Sequence, residues 1–132
     1  MPSGSEPCSF GKHQRLLTPG QFKAVFDGAS FKASHHNLLI LARQNHLAHA
    51  RLGTVVSKKN VRLAVQRNRL KRILRERFRL SQVELSGLDI VVLVKPGLWQ
   101  QENEAIVSLV NQQWLRLLKQ VTARKDNERG VV

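Results

Sequence analysis

The chain has 132 residues, a formal charge of +13 and a single cysteine. That length suits one hydrophobic core rather than two, and one thiol excludes an internal disulfide. With 22 Lys and Arg against nine acids, affinity for a polyanion at low salt is unavoidable, and few carboxylates remain for acid-base or metal chemistry.

Residues 1–11, rich in Ser, Gly and Pro, read as a disordered tail that carries Cys8 and lacks the apolar centre of a signal segment. Thr18-Pro19 supplies a helix cap and a first-turn proline. Phe22, Val25 and Phe26 follow at helical spacing, and Gly28 closes the helix. Leu38–Ala42 and Arg51–Val56 read as strands, and the short polar connection between them predicts an antiparallel hairpin. A basic helix comes next, then a strand over Asp89–Lys95 that Pro96-Gly97 terminates.

The last predicted helix spans about 102–122. Its apolar stripe is Ile106, Leu109, Val110, Trp114, Leu117, Leu118 and Val121, and Arg116, Lys119 and Arg124 lie towards the negative end of its dipole. Trp114 falls on the core stripe; Trp99, in the preceding loop, is open between packing and base stacking. Residues 125–132 read as a flexible tail, leaving one domain over 12–124. The order is αββαβα, an α+β two-layer sandwich with helices on a sheet of three or four strands. The longest apolar runs are far short of a membrane span, so a reduced, cytoplasmic protein is expected.

Residues 58–79 hold ten of the 22 Lys and Arg residues and one acid, Glu76. At about 100° per residue, Leu63, Leu70 and Leu74 fall on one line, flanked by Ile73 and Phe78, and that side is expected to pack on the sheet. Arg62, Asn68, Arg69, Arg72, Arg75 and Arg79 spread over the opposite side. Arg67, Lys71 and Arg75 form a ridge along one border, where long side chains reach into a groove between helix and sheet. Arginine can make bidentate contacts to phosphate or stack on a base, and Asn68 can both donate to and accept from a base edge.

Val56-Ser57-Lys58-Lys59, Ala64, Arg67-Asn68-Arg69, Lys71-Arg72 and Arg75 together resemble the signature of the bacterial ribonuclease P protein subunit. The likeness extends from Arg15-Leu16-Leu17-Thr18 through Phe22 and Phe26 to Lys95-Pro96-Gly97 and the last helix. It implies a protein that binds the catalytic RNA of ribonuclease P and helps it remove the 5′ leader of precursor tRNA, with hydrolysis performed by the RNA and its Mg²⁺. No catalytic or metal-binding protein residue, membrane partner or protein oligomer is implied.

The same resemblance puts Lys58, Lys59, Arg62, Arg69, Arg72 and Arg75 against the RNA subunit. It puts Phe22, Phe26, Arg67, Asn68 and Lys71 in a cleft for the single-stranded leader. Both phenylalanines can stack on unpaired bases or pack in the core. Relatives often carry an aromatic residue on the first strand facing that cleft, where this chain has Leu41. The family fold further implies a left-handed β-α-β crossover, as in a domain of ribosomal proteins, against the usual right-handed rule.

No Ser/His/Asp set, carboxylate pair or metal-ligand cluster stands out, and the five histidines fall in the predicted tail or loops. The main rival is a ribosomal-type structural RNA-binding protein, disfavoured by the Arg67-Asn68-Arg69 constellation and the aromatic pair. A helix-turn-helix regulator would need a second helix where 51–56 reads as a strand.

Overall fold

Two stretches of uninterrupted apolar sequence need cover on both faces, and they lie side by side at the centre of the fold. The computed structural model describes residues 12–130, with the side chains of 13–124. The N-terminal tail and Cys8 lie outside the described residues. A 3₁₀ turn (Lys12–Gln14) precedes α1 (Pro19–Gly28), β1 (Phe31–Ser34), β2 (Leu38–Gln44), β3 (Arg51–Val55), α2 (Ala64–Leu80), β4 (Leu88–Val94) and α3 (Asn103–Gly130), with a second 3₁₀ turn at Leu98–Gln100.

The sheet order is β1-β2-β4-β3; β2 runs antiparallel to β1 and β4, while β3 and β4 are parallel. The hairpin expected between β2 and β3 therefore does not form. β4 inserts between them because its run Leu88–Val94, buried at all positions but Leu93, is stable only with neighbours and cover on every side. The six residues between Gln44 and Arg51 readily cross the two strand spacings, about 10 Å, that this requires. β1 was not anticipated: four residues, FKAS, are too few for a periodic signal, yet Phe31 and Ala33 are buried.

Alternation along the central strands divides the core. Leu38, Ile40 and Ala42 of β2 and Ile90, Val92 and Val94 of β4 face α2 and α3, which contribute Leu70, Leu74, Phe78, Ile106, Val110, Trp114 and Leu117. Leu41 and Val91 point the other way, into a smaller cluster with Leu16 and Val25 beneath α1. The sheet and the α2/α3 layer form the expected sandwich, with α1 adding a patch on the far face.

Local chemistry explains the helix ends. Thr18 Oγ1 accepts from the Gln21 amide at 3.2 Å, and Gln21 Oε1 accepts from the Thr18 amide at 3.1 Å, a reciprocal cap that fixes the start of α1. At the end of α2, the Trp114 indole donates to Ser81 Oγ at 3.0 Å, satisfying the one polar atom of a buried ring. α3 runs well past its expected end, and the segment read as a flexible tail has helical backbone as far as Gly130. Arg116 is consequently mid-helix, donating to the Ser34 carbonyl at 3.2 Å.

Both sheet edges are partly covered. Gln120 Nε2 donates to the Lys32 carbonyl and its Oε1 accepts from the Lys32 amide, at 2.7 and 3.1 Å, as a paired strand would along β1. Along β3, Arg15 bridges Leu52 in parallel and the Leu16 amide donates to the Leu52 carbonyl at 3.1 Å. β3 is also fastened to β4 by Arg51, which donates to both carboxylate oxygens of its register partner Asp89, at 2.8 and 2.7 Å.

Candidate nucleic-acid interface

The basic segment is two structures rather than one helix. α2 begins only at Ala64, so Lys58, Lys59 and Arg62 lie in the loop before it. Leu63 is the extended cap residue and is 57% exposed; helical angles do not apply to it, and Val61, 1% exposed, enters the core instead. Leu70, Leu74 and Phe78 are fully buried, as the helical periodicity requires.

The loop is held by polar contacts. Asn60 Nδ2 donates to the carbonyl of Val94 at 2.9 Å, and the Asn60 amide donates to Ser57 Oγ at 3.2 Å. Arg67 reaches back from α2, its Nη1 donating to the carbonyls of Val61 and Arg62, each at 2.9 Å. This half-buried arginine, read from the sequence as a cleft residue, is thus also the clamp that sets the position of Arg62. Leu63 offers no capping side chain and the first turn has no acid, so the positive end of α2 opens beside Lys59 and Arg62.

On α2 itself, Asn68, Arg69 and Arg72 are exposed, and none has a side-chain partner among the described residues. Lys71 is half-buried on the same border as Arg67. Glu76, the one acid, is bonded by Arg79, whose guanidinium holds its carboxyl below the ordinary value. Arg77 also lies within its electrostatic reach, so this single acid is shared by the C-terminal turns of α2, away from Arg69 and Arg72.

At Arg75 the ridge meets α1 over β3. Phe22 is half-buried, and its Cε1 and Cζ lie 2.5 and 2.6 Å from where a Cβ on Gly53 would stand. Only glycine lets the ring lie on the strand. Arg75 lines the same hollow of about 90 Å³ with Arg15, Phe22 and Gly53. The resemblance assigned Phe22 and Arg75 to different surfaces; the fold brings them together. Phe26, one turn on, is 42% exposed, whereas Leu41 is buried at 7% in the cluster under α1 and presents no open face.

One feature the motif reading did not reach is a hollow of about 510 Å³ between the loop before α2 and the Pro96-Gly97 turn, lined by Lys59, Asn60, Arg62, Leu63, Gln66, Trp99 and Gln100 among others. Its only sequence signal was an unassigned tryptophan in a loop. Four of the five histidines meet in pairs, His35 stacking on His36 at 4.2 Å and His13 meeting His49 edge-on at 5.4 Å. Burial, then the neighbouring His36, Lys95 and Arg116 charges, lowers the His35 pKa. Among the described residues no three His, Cys, Asp or Glu side chains converge as a metal site would require, and no helix is long and apolar enough to cross a membrane.

Comparison with known proteins agrees with these features. The Ribonuclease P family model matches residues 10–118. The ribonuclease P protein component of Pseudomonas entomophila (strain L48) is 53% identical over 110 residues, covering 83% of each chain. That of Pseudomonas fluorescens (strain Pf0-1) is 49% identical over 124 residues, covering 92% of this chain and 93% of its own. The solved RNase P protein of Thermotoga maritima superposes with a TM-score of 0.64 at 31% identity, over 80% of this chain and 96% of that one. The Staphylococcus aureus protein, at 24% identity and a TM-score of 0.67 over 80% and 93% of the two chains, shares the fold. With its cationic loop and helix, its sheet order and the match over most of its length, the chain belongs to the bacterial ribonuclease P protein family.

Proposed function

We propose that this chain is the protein subunit of a ribonuclease P ribonucleoprotein, binding the catalytic RNA and the 5′ leader of precursor tRNA to promote 5′ maturation in the cytoplasm. The observation that carries this reading is the membership of the family combined with a cationic surface that has almost no acid to neutralise it. Lys58, Lys59, Arg62, Arg69 and Arg72 form the face offered to the RNA subunit. Phe22, Phe26, Arg67, Asn68 and Lys71 border the cleft offered to the leader, and Arg75 belongs by its position beside Phe22 as much to the second group as to the first. An exposed Phe26 suits stacking on an unpaired base, whereas Phe22 has only its outer edge to give.

The chemistry of such a particle falls to the RNA and its Mg²⁺. The protein's share is to neutralise phosphates where two RNAs approach, lowering the metal concentration at which the RNA works. A structural RNA-binding role without cleavage would use the same charge but gives no reason for an aromatic and an arginine to share a hollow at β3. Reconstitution tests the proposal: added to a bacterial ribonuclease P RNA at low Mg²⁺, the chain restores cleavage of precursor tRNA, and alone it cleaves nothing. Failure to stimulate the RNA, or cleavage without it, overturns this division of labour.

A further inference from the structure

The 510 Å³ hollow beside Trp99 is larger than the one at Phe22, and its size lies within the roughly 300–1,000 Å³ of small-molecule sites. Its walls are built. Asn37 Nδ2 donates to the Pro96 carbonyl at 2.9 Å, Asn37 Oδ1 accepts from Gln101 at 2.7 Å, and Gly97, at φ 91°, brings its Cα so near Asn37 that a Cβ would stand 2.9 Å from Nδ2. Asn60 secures the opposite wall through the Val94 carbonyl. Between them, Trp99 packs on the core by one part and lines the hollow by another, with the 57%-exposed Leu63 adding apolar surface. The amides of Gln66 and Gln100 supply donors and acceptors, and Lys59 and Arg62 stand at the rim. Trp114, by contrast, is buried and bonded to Ser81.

A flat aromatic surface, side-chain amides and two cations together match an unpaired nucleotide: ring for ring, amide for base edge, cation for phosphate. A small anion would leave Trp99 and Leu63 without a purpose, and an apolar peptide would leave both cations unpaired. We propose that this hollow is a second base-binding site, in which Trp99 stacks on one unpaired RNA nucleobase, Gln66 and Gln100 contact its edge, and Lys59 and Arg62 hold the flanking phosphates. The site rests on the RNA-binding reading above but is separate from the cleft at Phe22. The base comes either from the catalytic RNA or from the precursor.

The test uses the full chain. Short oligoadenylate quenches tryptophan fluorescence, and inorganic polyphosphate, which has charge but no base, does not. Trp99→Leu, which keeps the apolar packing, abolishes the quenching and weakens RNA binding roughly fivefold to a hundredfold without changing its salt slope; Trp99→Phe restores most of the loss. Lys59→Gln and Arg62→Gln instead lower the slope. A loss of affinity for the catalytic RNA places the base in that RNA, and a loss confined to precursor over mature tRNA places it in the leader. Tight binding of the catalytic RNA that Trp99→Leu leaves intact, with equal quenching by polyphosphate, overturns the site while leaving the proposed function standing. Oligoadenylate quenching in a chain that binds no catalytic RNA upholds the site and overturns the function.

Discussion

The loop 57–63 and the helix 64–80 carry neighbouring parts of one cationic surface, but they are held in place by different forces. The helix is positioned by apolar burial: Leu70, Leu74 and Phe78 anchor it, and the arginines opposite take their spacing from the helical repeat. The loop has Val61 as its buried apolar anchor and otherwise depends on hydrogen bonds that Ser57 accepts and that Asn60 and Arg67 donate. A surface built on a core is rigid and costly to disturb, whereas one built on a few polar contacts can be loosened without unfolding the domain.

That contrast is broken most forcefully at Leu74. Leu74→Ala leaves a cavity under α2 and destabilises the whole domain by about 2–5 kcal/mol, measured by denaturant unfolding, so RNA affinity falls only as the folded fraction falls. Asn60→Ala comes next, at about 1–3 kcal/mol, because it strands the Val94 carbonyl; binding of the catalytic RNA should weaken in protein that is still fully folded. If Asn60→Ala affected stability alone, the loop would not depend on that contact for its RNA-binding geometry.

Arg67→Ala and Lys71→Ala sharpen the comparison, since both are half-buried on the helix border proposed to face the leader but only Arg67 clamps the loop. Lys71→Ala should reduce preference for precursor over mature tRNA and leave catalytic RNA binding within about twofold. Arg67→Ala should reduce both, by about tenfold for a charge-assisted pair of contacts. Equal behaviour of the two variants would remove the clamp from the account. Arg72→Gln, on the open helix face, should change stability by less than about 0.5 kcal/mol and flatten the slope of log affinity against log salt by roughly 0.7 to 0.9.

The smallest effect is expected at Glu76. Arg79 depresses its pKa, so the stability it contributes is present above the carboxylate's unfolded value and is lost as pH falls through the folded one. Wild type and Glu76→Gln should accordingly differ near neutrality and converge in acid. A difference that persists at low pH would show that the carboxylate charge is not what matters.

Much of this was legible in the residues because it is local. The cap Thr18, the anchors Leu70, Leu74 and Phe78 and the density of Arg on one helix face follow from spacing, since a helix converts sequence separation directly into direction. The Arg67-Asn68-Arg69 constellation and its neighbours carry the family resemblance in the sequence itself. Where the helix began was not legible: Leu63 continues the apolar spacing, and only the extended backbone at that position turns it to solvent.

What tertiary structure alone decided is everything that joins distant residues. Strand order depends on which strand most needs burial on both faces, a competition that β4 wins over the shorter hairpin path between β2 and β3. The meeting of Phe22 with Gly53 and Arg75, the reach of Arg67 back to the loop and the enclosure of Trp99 opposite Lys59 and Arg62 join side chains on different elements. Residue types and local periodicity determined that this chain carries a helix-borne cationic surface suited to a polyanion. The packing of α1, β3 and the Pro96-Gly97 turn around that surface divided it into separate hollows, because a groove exists only where two elements approach without filling the space between them.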